Sequence, residues 1–261
     1  VTGPIVDVNV NLGHWPARRV RGDEIGELAA RLRANGVAEA WSGSLDGLLH
    51  KDLAAVNACL ADACRQQEGV RLVPFGSVNP MLPDWEEDLR RCVEEHGMPG
   101  IRLHPNYHGY ALDDPEFARL LELASGRRLI VAIALAMEDE RMMHPMLRVP
   151  PVEPGPLAGL VPRIPGARLL LLNALRTLGG ERLGALLRAG DVSVEIATLE
   201  GVGGVARLLD EVPLERVLFG SHAPFFYFEA APLKLRESDL SPSQLQAVRH
   251  GNVRRLLPAS P

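Results

Sequence analysis

The chain is poor in aromatic residues and in cysteine, and it carries no excess of basic charge. Among 261 residues there are 6 Phe, 3 Tyr and 3 Trp, so where they fall matters more than how many there are. The 3 cysteines are an odd number with no C-x-x-C pair and no neighbouring His, which argues against a disulfide framework. Cys59, Cys64 and Cys92 read as small buried or half-buried thiols of a reducing compartment. With 28 Lys+Arg against 33 Asp+Glu, the net charge of −5 offers no basic stripe for nucleic acid. The longest unbroken apolar run, Leu129–Met137, is far short of the ~20 residues that span a bilayer. The first residues resemble a strand with no signal-peptide architecture, although a trimmed leader stays open, and it is the reducing-compartment reading of the cysteines that gives the expectation of a cytoplasmic protein. No G-x-G-x-x-G follows the first strand and no G-x-x-x-x-G-K-[ST] occurs, so phosphate-cradling sheets lose ground. Gly201-Val202-Gly203-Gly204 is glycine-rich but has no Lys, and reads as a turn with a close packing contact.

What is present is a regular alternation. Short aliphatic runs at Ile5–Val10, Glu39–Ser42, Leu72–Val78, Gly100–His104, Leu129–Leu135, Arg168–Leu172, Val192–Ile196 and Val217–Phe219 read as eight strands. Amphipathic helices lie between them. Asp23-Glu24 opens one that Gly36 closes, and Asp114-Pro115 sets an N-cap and an N1 proline ahead of Phe117, Leu120 and Leu121. Leu183, Leu186 and Leu187 end at Gly190, and Ser241-Pro242 opens the last helix. Eight βα units in about 250 residues favour a closed (β/α)8 barrel, a single α/β domain over residues 1–261, above an open doubly wound sheet. Residues 142–165 break the rhythm with seven prolines, which excludes a regular helix. This segment is either a rigid connection or a wall of a pocket.

In a barrel of this kind the active site sits at the C-terminal ends of the strands. Strand one ends Asp7-Val8-Asn9-Val10-Asn11, and residues two apart share a face, so the three polar groups should point together. Strand four places Arg102 and His104 on one face. Strand six runs into Asn173, strand seven carries Glu195, and strand eight ends Phe219-Gly220-Ser221-His222-Ala223-Pro224. Seven of the aromatics (Trp15, Tyr107, Tyr110 and Phe225-Phe226-Tyr227-Phe228) fall in the loops at this end, as do five of the 8 His. That concentration suits an apolar pocket or a subunit contact of a homo-oligomer.

The first strand, the Gly100-Ile101-Arg102-Leu103-His104-Pro105 strand, the closing Val217-Leu218-Phe219-Gly220-Ser221-His222-Ala223-Pro224-Phe225 and the ending Gly251-Asn252-Val253-Arg254-Arg255-Leu256-Leu257 resemble the amidohydrolase-related barrels. The closer group includes metal-dependent decarboxylases and lactone hydrolases, and the matches run along nearly the whole chain. The resemblance implies an H-x-H on strand one where this chain has Asn9 and Asn11. It implies a His at the end of strand five, where Ala132–Leu135 holds none, and another where Asn173 stands. The strand-eight Asp, ligand and general base in that family, is His222 here. A neutral amide is a poor zinc ligand, so no metal is expected at these positions. A divalent ion at a rearranged site of Asp7, His104 and His222 stays open.

The resemblance implies a hydrolase acting on a small amide, ester or lactone, carboxylate-bearing substrates included. In that reading His222 transfers the proton, Asp7 is its electrostatic partner and His104 a third catalytic candidate. Asn9, Asn11, Arg102, Tyr107, Asn173, Glu195 and Phe225 are the substrate-binding candidates, with Arg102, Arg141 and Arg176 suited to a carboxylate. The alternative is a non-catalytic barrel that binds a small molecule or a partner subunit.

Overall fold

The computed structural model describes residues 3–257. Eight parallel strands run in the order β1 Ile5–Leu12, β2 Val37–Ser44, β3 Arg71–Ser77, β4 Gly100–Leu103, β5 Ile130–Ala134, β6 Arg168–Leu172, β7 Asp191–Glu195 and β8 Val217–Leu218, each paired with the next. Closure comes from the Val10–Ala223 bridge and from two amides. Val8 N–H donates to Phe219 O at 3.0 Å, and Asn11 N–H to Ala223 O at 2.8 Å. This is the (β/α)8 barrel that the alternation predicted. The principal helices between strands are α1 Ile25–Ala34, α2 Leu53–Gln66, α3 Trp85–Glu94, α4 Pro105–His108 and α5 Pro115–Gly126. They continue with α6 Leu157–Leu160, α7 Gly180–Ala189, α8 Gly204–Glu211 and α9 Ala230–Arg236. Among the described residues no helix is long and apolar enough to cross a membrane.

Alternation along the strands splits the apolar residues into two layers. Ile130, Ala132 and Ala134 join Trp41, Phe75, Leu170, Leu172 and Leu218 in the barrel interior. Val131 and Ile133 face outward with Leu120 and Leu121 of α5. Trp41 and Phe75 stack at 4.9 Å and fill the interior. Gly100 is required beside them. A Cβ there would lie 2.3 Å from Phe75 Cε1 and 2.5 Å from the Ile130 carbonyl oxygen. Gly100→Ala is therefore expected to cost about 1–3 kcal/mol by overpacking, read from the urea midpoint.

The Gly-Asn-Val-Arg-Arg-Leu-Leu ending has a structural use. Asn252 donates to Leu214 O at 2.7 Å and Val217 O at 2.8 Å, anchoring the run into β8, while Arg255 bonds Ser193 Oγ at 2.8 Å and pairs with Asp191. Val253 and Leu256 are buried against the interior cluster.

Several local expectations are corrected. The last helix is not continuous, because a π turn at Ala247–Gly251 separates α10 (Pro242–Gln246) from α11 (Val253–Leu256). Asp114 precedes α5 but makes no cap bond from its side chain; its Oδ2 instead accepts from Ala111 N–H. Cys59 is exposed, whereas Cys64 and Cys92 are buried. The proline-rich segment forms short 3-10 turns and α6, and is pinned across the mouth by Val152 N–H to Leu135 O at 2.8 Å.

Candidate active site at the barrel mouth

The alternation of β1 fails at the place where it was expected to align three polar groups. Register with β2 slips between Asp7 and Val10, a bulge that adds one residue to β1. Val8 joins the interior while Val10 and Leu12 face the helix layer. Asp7 consequently serves backbone rather than the mouth. Its Oδ1 accepts from Asn9 N–H at 3.1 Å and Ser221 N–H at 3.0 Å, and its Oδ2 has no partner. Asn9 and Asn11 do reach the mouth.

There the side chains form a closed network. Asn9 Nδ2 donates to Asn173 Oδ1 at 2.8 Å and to Glu195 Oε1 at 3.1 Å. Glu195 also accepts from the amides of Asn173 at 2.7 Å and Ala197 at 2.5 Å. His222 Nε2 lies 2.8 Å from Met137 O, and since a carbonyl only accepts, that nitrogen carries the proton. Its Nδ1 lone pair then accepts from Asn11 Nδ2 and Asn173 Nδ2, each at 3.3 Å. Both His222 and Asn173 sit at left-handed backbone angles, φ 57° and 56°, at the strand ends. Phe225 stacks on the imidazole at 4.8 Å, and Phe226 meets it edge-on at 5.3 Å.

Arg102 spans the layer below. Its Nη1 donates to Val10 O at 2.8 Å and Asn11 Oδ1 at 3.0 Å, and its Nη2 to Trp41 O at 3.0 Å. Gly43 leaves it room, since a Cβ there would fall 2.6 Å from Arg102 Cδ. The guanidinium is 1% exposed, so it is bound to protein rather than presented to a substrate.

Electrostatics follow burial. Burial pulls the His222 imidazole down to about 4, against the Met137 carbonyl that favours its cation, so it is neutral at pH 7. Burial holds His104 well below the ordinary range, with the charges of His108, Arg102 and His222 acting in the same direction. Burial pushes the Asp7 carboxyl up to about 7, opposed by the bonds from Ser221 and Asn9. It raises Glu195 too, against the amides of Asn173 and Ala197. Arg102 falls to about 10 through burial, with Asp7 and Glu195 opposing.

The open space lies above this network. A cleft of about 280 Å³ is lined by Met137, Asp139, Asn173, Arg176, Thr198 and His222, among others. Arg141 and Arg176 both pair with Asp139, at 2.6 and 2.9 Å, and the Thr198 hydroxyl is buried without a partner. A second cleft of about 520 Å³ beside it is lined by Trp15, Arg18, Tyr107, Met142, Met143 and Arg148. Glu138 borders both clefts, and Arg18 pairs with it at 2.7 Å.

Of the expected site residues, Asn9, Asn11, Asn173, Glu195 and His222 come together. Tyr107 lines the second cleft. Phe225 stands behind His222, packed on Trp15 at 4.9 Å, and Phe226 takes the cleft wall. Asp7 bonds backbone instead of His222, and His104 Nδ1 has no partner. Asp7, His104 and His222 do not assemble a metal site. Among the described residues, His14, Asp23 and Glu24 form the one His/Cys/Asp/Glu triad close enough to share an ion. Sequence reasoning missed the Met137 carbonyl, a backbone group with no residue signature, and Thr198, whose place just after β7 was the available signal.

The sequence profile of the Amidohydrolase family (Amidohydro_2) matches residues 13–259. No curated protein sequence matches significantly. Solved structures of similar fold include 2,6-dihydroxybenzoate decarboxylase from Rhizobium, at 14% identity and TM-score 0.74 over 98% of each chain. Another is 5-carboxyvanillate decarboxylase from Sphingomonas paucimobilis, at 15% identity and TM-score 0.75 over 97% of this chain and 98% of that one. A third is dihydroxybenzoic acid decarboxylase from Polaromonas sp., solved with bound manganese and 2-nitroresorcinol, at 13% identity and TM-score 0.73 over 98% and 97%.

A divalent ion at the mouth needs free lone pairs brought together; Asp7 Oδ2 and His104 Nδ1 are unpartnered, but among the described residues they form no close ligand cluster with His222. The lone pair of His222 is covered by two amide N–H groups, Asn173 Oδ1 is taken by Asn9, and Asn11 Oδ1 by Arg102. The fold and the match across most of its length place this chain in the amidohydrolase family.

Proposed function

We propose that this amidohydrolase-family barrel binds a small carboxylate-bearing molecule in the cleft over His222 and Asn173, as a binding protein rather than a hydrolase. The observation that carries this reading is the committed imidazole. Both ring nitrogens of His222 are engaged, Nε2–H by Met137 O and Nδ1 by two amides, and burial keeps the ring neutral. A general base needs a lone pair within reach of the proton it takes. The groups above it suit recognition. Arg141 and Arg176 converge on Asp139, with Glu200 farther off at 3.9 Å from Arg176 Nε, which leaves guanidinium N–H donors for a further anion, and the Thr198 hydroxyl is buried without a partner. The volume matches a small organic acid, and one solved neighbour was complexed with 2,6-dihydroxybenzoate.

Titration calorimetry with benzoate and 2,6-dihydroxybenzoate, in buffer containing a chelator, tests the reading. At least one acid is expected to bind, with Arg176→Ala weakening it about tenfold or more, as for loss of a charge-assisted bond. Equal affinity for wild type and Arg176→Ala, or no binding by either, removes the assignment. A second reading, proton transfer by His222 in hydrolysis of an ester or lactone, has one observation in its favour: the ring lines the cleft. Turnover in chelator that disappears in His222→Ala would establish it over the first.

A further inference from the structure

We propose that the acid held over His222 and Asn173 is elongated, and that its far end carries an apolar ring or chain lying in the second cleft. The inference rests on the carboxylate reading above and adds to it the class of molecule. The second cleft, of about 520 Å³, is the larger of the two. Four loops build it. Trp15 follows β1, Leu49 follows β2, Tyr107 follows β4, and Met142 and Met143 follow β5.

The two clefts meet at Glu138, which lines both. Its side chain is 6% exposed, and Arg18 donates to Oε1 from Nε at 3.0 Å and from Nη2 at 2.7 Å. The pair cancels charge at the divide, so an uncharged linker can cross without stranding an ion. Beneath the divide the walls are one structure. Trp15 packs edge-on against Phe225 at 4.9 Å, and Phe225 stacks on His222 at 4.8 Å. The same aromatic stack therefore walls the second cleft and backs the imidazole that lines the first.

The lining sets the orientation. Arg141, Arg176 and Thr198 put the cationic and hydroxyl groups in the first cleft, where they suit a carboxylate. The second offers aromatic and thioether surfaces, with Trp15 held by Tyr107 at 6.0 Å as well as by Phe225. Leu49 and Met142 stand on its lip, 63% and 67% exposed. Large apolar side chains left exposed around a concave wall gain most from a ligand that covers them. The two methionines bend to fit either a ring or a chain. Arg18 is matched by Glu138, which leaves Arg148 as the arginine in this cleft that could compete for the carboxylate.

Titration calorimetry of the full chain, in chelator, with pentanoate and 5-phenylpentanoate tests the proposal, since the two acids share head and linker and differ by the ring. 5-Phenylpentanoate is expected to bind about tenfold more tightly or better, with a more negative heat-capacity change, as burial of a phenyl group gives. The double variant Leu49→Gln/Met142→Gln, neutral and at exposed positions, should cut that gain to about threefold or less. Arg176→Ala should weaken both acids by the same factor, about tenfold or more. Equal affinities for the two acids, both weakened by Arg176→Ala, overturn the second cleft and leave the carboxylate site standing. A ring gain undiminished in the double variant overturns it as well, because the ring then lies elsewhere. Weakening by Arg148→Ala in place of Arg176→Ala would reverse the ligand and remove the carboxylate assignment with the proposal. Failure of both acids to bind removes the two together.

Discussion

Arg102→Met is expected to lower the unfolding free energy by about 3–5 kcal/mol, the range for removing one partner of a buried charged network. The substitution leaves Val10 O, Trp41 O and Asn11 Oδ1 without their donor, and it takes the nearby cation from Asp7 and Glu195. Methionine fills much of the stem's volume, so the loss reports the guanidinium rather than a cavity. Arg102→Lys should recover only part of it. A single ammonium cannot span acceptors on β1 and β2 as the planar fork does. Urea unfolding of the three proteins decides the matter. A loss below about 1 kcal/mol for Arg102→Met would show that the network tolerates water or rearrangement in the cation's place.

The second large effect is on pH. Burial raises Asp7 from 3.8 to about 7, so between those values the folded chain holds a proton that the unfolded chain has released. Its contribution to stability is full below 3.8 and is lost as pH rises through 7. A difference of about 3 in pKa corresponds to about 4 kcal/mol. His222 acts in the opposite sense. Its folded value of about 4 lies below 6.5, so stability is lost as pH falls from 6.5 towards 4. The two slopes oppose each other over that window, and Glu195, raised, and His104, held low, add one contribution in each sense, so the wild-type profile alone does not isolate Asp7. Asp7→Asn removes only one of them. The variant's stability relative to wild type should therefore increase by about 4 kcal/mol between pH 4 and pH 8. Denaturant midpoints across that range measure it. A difference that does not vary with pH would mean that Asp7 is ionised in the fold.

The barrel was legible because its signal is repeated. Eight aliphatic runs separated by amphipathic helices overdetermine the topology, and β6 at Arg168–Leu172 matches its expected bounds. Asn9, Asn11, Asn173, Glu195 and His222 were found together because strand ends in a barrel converge whatever their sequence separation. What stayed hidden depends on single atoms. The direction of Asp7 turned on a bulge, which leaves no mark in the alternation of Val and Asn. The state of His222 turned on a carbonyl of Met137, which any residue would supply. Asp23 was legible as the opening of a helix, but nothing in its neighbours showed that it would pair with His14.

The bulge in β1 also makes chain length itself a determinant of the mouth. Asp7 and Val10 are three residues apart, while their partners Ala40 and Ser42 on β2 are two apart. A shift of the opposite sense between Ile5 and Val6 offsets this one, so deleting one residue from Val8-Asn9 would undo only one of the two irregularities and displace everything beyond it. The frame of the strand's two ends would then change relative to each other by half a pleat. The extra residue thus couples a local loss of ladder regularity to the placement of the Asn pair, and a deletion there is a far graver lesion than any substitution at the same positions.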